Sequence, residues 1–150
     1  MIRPARMADV TAMHEIITTF AKSHQLLPVS LFEMYQGIRE SFVCETDGRV
    51  VGTGSLRFYW KDLAEVRSLA VAEEYQGKGY GSALLAACEK LATEYSLERV
   101  FTLTYRPEFF EQAGYARIEK SELPQKIWAD CVKCHEFPSC SETALIKGIT

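Results

Sequence analysis

The chain has 150 residues, 47% of them hydrophobic, with a net charge of −3 and an isoelectric point near 5.7. Length and composition fit a single globular domain over 1–150 with a substantial core. The acidic balance speaks against a nucleic-acid or membrane partner, either of which would call for a basic stripe.

The opening stretch MIRPARMADV lacks the apolar core of a signal peptide, and no uninterrupted apolar run is long enough to span a bilayer. Five cysteines without an export signal suit a reducing cytoplasm better than a disulfide framework.

In chain order, IRPA at 2–5 predicts a first strand. Asp9 is a candidate N-cap for the helix VTAMHEIITTFAKS, where Val10, Met13, Ile17 and Phe20 keep helical spacing. Ser30 is a candidate cap for a short helix, LFEMYQGI. FVCET and RVVGTGSLRFYW flank Asp47-Gly48, a strong hairpin signal. AEVRSLAV at 64–71 reads as the next strand. A glycine-rich loop follows, then a helix over about 80–95 and a strand, RVFTLT, at 99–104. PEFFEQAG gives a short helix with Pro107 near its start and Gly114 at its C′ position. YARIE and TALIKGI close the list as strands. The order is β-α-α-β-β-β-α-β-α-β-β, a mixed α/β domain rather than a repeating βαβ array. The stretch from about 119 to 142 shows no regular pattern.

The loop QGKGYG, 76–81, has the physics of an anion seat. Glycines let the main chain close on a ligand, and the following helix offers unpaired N–H groups with a partial positive charge. It is not a P-loop, because Gly79 follows Lys78 where Ser or Thr should stand. Nor does its G-x-G-x-G spacing match the dinucleotide fingerprint.

Gln76, Gly79 and Gly81 do fit Gln/Arg-x-x-Gly-x-Gly, and FFEQAGY fits an aromatic-aromatic-x-x-x-Gly-aromatic element after the next strand. With these two motifs the sequence resembles the GNAT (GCN5-related N-acetyltransferase) superfamily. The resemblance implies a central mixed, mostly antiparallel sheet flanked by helices, and acetyl-CoA as co-substrate. It implies donor contacts from Gln76, Gly77, Lys78, Gly79, Tyr80, Gly81 and Ser82, from the strand end Leu69, Ala70 and Val71, and from Phe110. Within the superfamily, LAEVRSLAV and FFEQAGY…LPQKIW resemble the short single-domain N-acetylglutamate synthases. That implies L-glutamate as acceptor and a place in arginine biosynthesis. Superfamily relatives also suggest a homodimer.

An amine attacking a thioester must first be neutral, and α-amino groups titrate near about 8, so a base is needed. Glu65 is the candidate base, as a glutamate on this strand often is in the superfamily. Period-2 alternation puts it on one face with Arg67, opposite Val66 and Ser68. Arg67 is a candidate clamp for the acceptor's α-carboxylate, or else a partner that holds Glu65 ionised. Lys22, Arg57, Arg106 and Lys126 are further cations for carboxylates. The superfamily's usual acid is a tyrosine, but the matching residue here is Phe110, which has no proton to give; Thr104 and Tyr105 are the replacements. Other acceptors remain open: a protein N-terminus, a lysine, a polyamine or an antibiotic. So does a sensor that binds acetyl-CoA without turnover.

Cys131, Cys134 and Cys140 form a candidate zinc half-site, with His135, Cys44, Cys88 or His24 as the missing ligand. Buried thiols or a regulatory disulfide are the alternatives.

Overall fold

The structure, a computed structural model, describes residues 1–123 and 142–149. Among the described residues, seven strands and four α-helices follow the predicted order. They are β1 (Ile2–Pro4), α1 (Val10–Lys22), α2 (Leu31–Gln36), β2 (Ser41–Thr46), β3 (Arg49–Trp60), β4 (Leu63–Val71), α3 (Tyr80–Glu94), β5 (Arg99–Thr104), α4 (Pro107–Gln112), β6 (Ala116–Ile118) and β7 (Thr143–Gly148). They form one sheet in the order β1-β2-β3-β4-β5-β7-β6. Only β4 and β5 run parallel; every other pair is antiparallel.

The hairpin between β2 and β3 turns on Asp47 (φ 52°) and Gly48 (φ 75°), the left-handed pair that a tight two-residue turn requires. Ser30 caps α2 as expected. Its hydroxyl accepts from the Glu33 N–H at 3.1 Å, and the Glu33 carboxylate reaches back to Ser30. Asp9 departs from its expected role. It precedes α1, but its side chain makes no cap hydrogen bond to that helix. The carboxylate instead accepts from the Arg3 guanidinium at 2.7 and 3.0 Å and from the Arg6 N–H at 2.7 Å. Two charge-assisted bonds from β1 outweigh one bond to a helix terminus.

Helices cover both faces of the sheet. On one, Leu85 and Cys88 of α3 pack with Leu56, Ala64 and Val66, and α4 joins them through Phe110. On the other, Val10, Met13 and Ile17 of α1 close over Val43. Farther along that second face Leu63, Phe101 and Ala144 pack with Leu123 and Tyr59.

Arg3 also donates to Glu45 at 2.8 Å, so this ion cluster ties β1 and the approach to α1 to β2. Arg3 holds the Asp9 carboxyl below the usual carboxylate range. Such a group stabilises the fold above its unfolded pKa of about 3.9 and loses that contribution as pH falls through its lower folded value. Asp9→Asn should therefore cost about 1.5–3 kcal/mol at pH 7, the worth of hydrogen bonds to a charged group. The gap from the wild type should narrow below about pH 4 in urea unfolding curves. A gap that stays constant down to pH 2 would refute this role for the ionised carboxylate.

Candidate active site

The site begins where two strands part. β4 and β5 pair at Leu63–Arg99, Ala64–Val100 and Glu65–Phe101, and the ladder then stops. At the next rung the Thr102 hydroxyl donates to the Val66 carbonyl at 3.2 Å, in place of a main-chain bond. On its other side β4 loses register with β3: Thr53 faces Ala70 and Ser55 faces Arg67, so three residues advance against two. Ser68, at φ 53°, sits in this bulge. It thereby leaves the simple alternation with Val66 that the sequence predicts.

Beyond the fork a cleft of about 380 Å³ opens. Leu69, Ala70 and Val71 line one wall, and Thr104, Tyr105, Arg106 and Phe109 the other. Phe20, Gln25 and Leu26, from the end of α1 and the segment after it, border it as well. The glycine loop and the start of α3 complete the lining.

The loop is shaped for an anion. Gly77 and Gly79 hold φ of 80° and 85°. Gly79 is the N-cap of α3, and no side chain among the described residues caps the helix. The N–H groups of its first turn thus face the cleft without a side-chain acceptor, at the positive end of a 15-residue helix. At Gly81 a Cβ would reach van der Waals contact with the Phe109 ring at 3.4 Å, so only a longer side chain would fill the space between the loop and that wall. These features suit the diphosphate of a CoA thioester.

The loop residues have different tasks. The Gln76 side-chain amide donates to the Val71 carbonyl at 2.9 Å, so it clasps the loop to the strand end. The Lys78 ammonium lies 5.6 Å from the Tyr75 ring centroid and is not among the cleft-lining residues. The Tyr80 hydroxyl accepts from Thr46 at 3.4 Å. Ser82 borders the cleft from the first turn of α3.

Glu65 stands at the fork, on the face away from α3. It is 7% exposed, and the Tyr59 hydroxyl donates to its Oε1 at 3.0 Å. Arg67 Nε lies 3.7 Å from the same oxygen. Arg57 is the direct cross-strand neighbour of Glu65 and is 3.9 Å from Glu33. The structure thus brings Glu65 and Arg67 together as alternation predicts and adds Tyr59, which the sequence reading missed. Tyr59 reaches that face by alternation, two residues along β3 from Arg57, the cross-strand neighbour of Glu65, and its ring packs on Phe101 at 5.7 Å.

Thr104 accepts the Arg106 N–H at 2.9 Å through its hydroxyl oxygen, which leaves its own proton to donate. Phe110 borders the cleft, but its ring is 4% exposed and packs edge-on against Phe109 and Tyr115. Tyr115 is no substitute acid. Its hydroxyl donates to Glu89 at 2.8 Å, and burial together with that carboxylate pushes its phenol far above the ordinary range.

Lys22 and Arg57 do not border the cleft, whereas Arg106 does. Lys126, Cys131, Cys134, His135 and Cys140 lie outside the described residues. Cys44 and Cys88 are buried core thiols, and burial pushes Cys88 up to about 12. Among the described residues no three His, Cys, Asp or Glu side chains converge on a metal position. No described helix is long and apolar enough to cross a membrane.

Known proteins resemble this chain in sequence and fold. The Acetyltransferase (GNAT) family matches residues 10–116. An uncharacterized N-acetyltransferase of Chlorobaculum tepidum is 40% identical over 99% of this chain and 96% of its own length. An amino-acid acetyltransferase of Mycobacterium tuberculosis is 32% identical over 91% of this chain and 80% of its own. The crystal structure of N-acetylglutamate synthase from Neisseria gonorrhoeae, complexed with coenzyme A and N-acetyl-glutamate, superposes with a TM-score of 0.91 at 26% identity. That match covers all of this chain and 35% of the other. The chain belongs to the acetyltransferase (GNAT) family, and its chemistry is acetyl transfer from acetyl-CoA to an amine.

Proposed function

We propose that the amine is the α-amine of L-glutamate and the product N-acetylglutamate, a precursor for arginine synthesis. The observation that carries this reading is the charge around the base. Arg67 lies 3.7 Å from Glu65 on β4, and Arg106 stands on the wall of the cleft. Guanidinium groups near one carboxylate suit an acceptor that brings a cationic amine and two carboxylates. The Mycobacterium relative's name supports an amino-acid acceptor, and the N-acetyl-glutamate held by the Neisseria enzyme supports glutamate.

When bound, acetyl-CoA supplies a thioester carbonyl that a neutral amine can attack. Glu65 takes the ammonium proton, directly or through one water. The Tyr59 hydroxyl and Arg67 aim its carboxylate and favour negative charge on Oε1. Main-chain N–H groups of Leu69 and Val71, on the arm that β5 no longer covers, stabilise charge developing on the carbonyl oxygen. Thr104 or Tyr105, on the opposite wall, holds the proton for the departing thiolate. The attack is direct: Cys44 and Cys88, the cysteines among the described residues, are core thiols away from the lining.

Thiol release from acetyl-CoA, followed with a panel of acceptors, tests the reading. The expected kcat/KM for L-glutamate exceeds that for spermidine or a peptide N-terminus by about a hundred-fold or more, the discrimination open to a site built to pair a substrate's charges. Equal rates across the panel would reject glutamate and leave a GNAT enzyme for another amine. Coenzyme A binding without turnover of any amine would point to a sensor.

A further inference from the structure

The arginines near the base differ in how they are engaged. Arg67 Nε lies 3.7 Å from Glu65, and Arg57 lies 3.9 Å from Glu33. Arg106 instead donates to the neutral side-chain oxygen of Gln25 at 3.0 Å, across 81 positions of sequence. Among the described residues that line the cleft, Arg106 alone carries a charge.

Register says which side of the sheet Arg106 serves. Val43 pairs with Thr53, which alternates along β3 with Ser55 and Arg57, and Arg57 pairs with Glu65. Val43 and Glu65 therefore share a face, and α1 packs on Val43. Gln25 stays close to α1: its N–H donates to the Phe20 carbonyl at 2.9 Å, and its neighbour Leu26 packs against the α1 cluster. By bonding Gln25, the Arg106 guanidinium reaches toward the side of the sheet that holds Glu65. The helix that carries the anion seat, α3, packs on the opposite side.

An acceptor whose amine meets Glu65 carries its α-carboxylate on the same carbon, beside Arg67. A second carboxylate, farther along the acceptor, needs a cation that stands apart from the base but on the same face. Arg106 is such a cation, and its present partner can be exchanged. Hydrogen bonds to an ionised acceptor are roughly twice as strong as those to a neutral one, so a carboxylate displaces the Gln25 amide.

We infer that Arg106 receives the acceptor's side-chain carboxylate and that Gln25 holds its place until the acceptor arrives. The cleft then selects a dicarboxylic amino acid. An acceptor with a neutral side chain leaves the Gln25–Arg106 bond as it is and gains no second ion pair. The inference rests on the glutamate reading and deepens it by naming the residue that tells glutamate from glutamine.

Thiol release with L-glutamate and with L-glutamine, compared across variants, is the test. Arg106→Gln should lower kcat/KM for glutamate by about ten- to a hundred-fold, the worth of one charge-assisted hydrogen bond, with the loss read in KM. Glutamine brings no charge to Arg106 and should lose far less, so the preference for glutamate shrinks. Gln25→Glu keeps the arginine but gives it an anionic partner, and should shrink the same preference. Coenzyme A affinity, from calorimetric titration without acceptor, should stay that of the wild type in both. An Arg106→Gln protein with wild-type melting temperature and an unchanged glutamate-to-glutamine ratio would overturn the inference and leave the glutamate reading standing. So would a parallel loss of coenzyme A affinity, which would place Arg106 on the donor. A wild type that turns over glutamate no faster than glutamine rejects the glutamate reading itself, and the role of Arg106 with it.

Discussion

Glu65→Gln should lower kcat by about 10²- to 10⁴-fold, the range for removal of a positioned general base, with little change in coenzyme A affinity. The side chain is nearly isosteric and keeps an oxygen for the Tyr59 hydroxyl, so the fork retains its shape. What disappears is the capacity to accept a proton from the incoming ammonium. Tyr59→Phe is the graded companion. It deletes one donor to Oε1 but leaves the carboxylate and the ring packing on Phe101, so a fall of about ten-fold is expected. Steady-state thiol release at saturating donor gives both numbers. A Glu65→Gln enzyme that turns over at the wild-type rate would move the base to another residue, and the account of Tyr59 would fall with it.

Tyr59 shows what sequence reading lacks: alternation puts it on one face with Arg57, but the β3–β4 register that sets that face against Glu65 is not written along the chain. The element order could be read whole, because hydrophobic period and turn chemistry act over a few residues. Asp47-Gly48 announces its hairpin, and Ser30 with Glu33 announces a capping box, since each signal lies within four positions. Asp9 looked like a cap by the same local logic and became an ion-pair partner, because Arg3 reaches it only after β1 has paired with β2. Alternation along β4 correctly joined Glu65 to Arg67. It could not show the Ser68 bulge, where a residue with no special liking for positive φ is held there by the β3–β4 register.

The cleft was legible as a motif and less so as a shape. Gly79 and Gly81 mark the loop, yet Gln76 turns out to fasten the loop to Val71 with its side-chain amide. Nothing along the chain joins Gln25 to Arg106, or Phe20 and Leu26 to the strand ends they face. Such contacts follow from where the sheet forks and from which helix covers which face, and both are settled only when the whole domain packs.

Gly81→Leu should abolish measurable coenzyme A binding while leaving the melting temperature close to that of the wild type. The neighbouring Gly79→Ala should do nearly the reverse. The two glycines serve the seat by different physics. Gly81 lies in the first turn of α3 with ordinary helical backbone, so a side chain there adds no strain to the main chain. Its Cβ would already touch Phe109 at 3.4 Å and Val71 at 4.0 Å, and a leucine would extend into the space between those two walls. Each hydrogen bond from the helix end to a phosphate that is lost in this way weakens binding by about ten- to a hundred-fold. Blocking two such bonds puts coenzyme A beyond a calorimetric titration. At Gly79 a Cβ meets nothing within 4 Å, but φ is 85°. Alanine there pays the left-handed penalty of about 1–2 kcal/mol, which appears mainly as lost stability. Coenzyme A titrations and thermal melts of both variants, read together, distinguish a seat made of exposed main chain from one made of side chains. Were Gly81→Leu to bind coenzyme A normally, the diphosphate would lie elsewhere than on the first turn of α3, and the geometry that aims the acetyl group at Glu65 would have to be rebuilt from a different anchor.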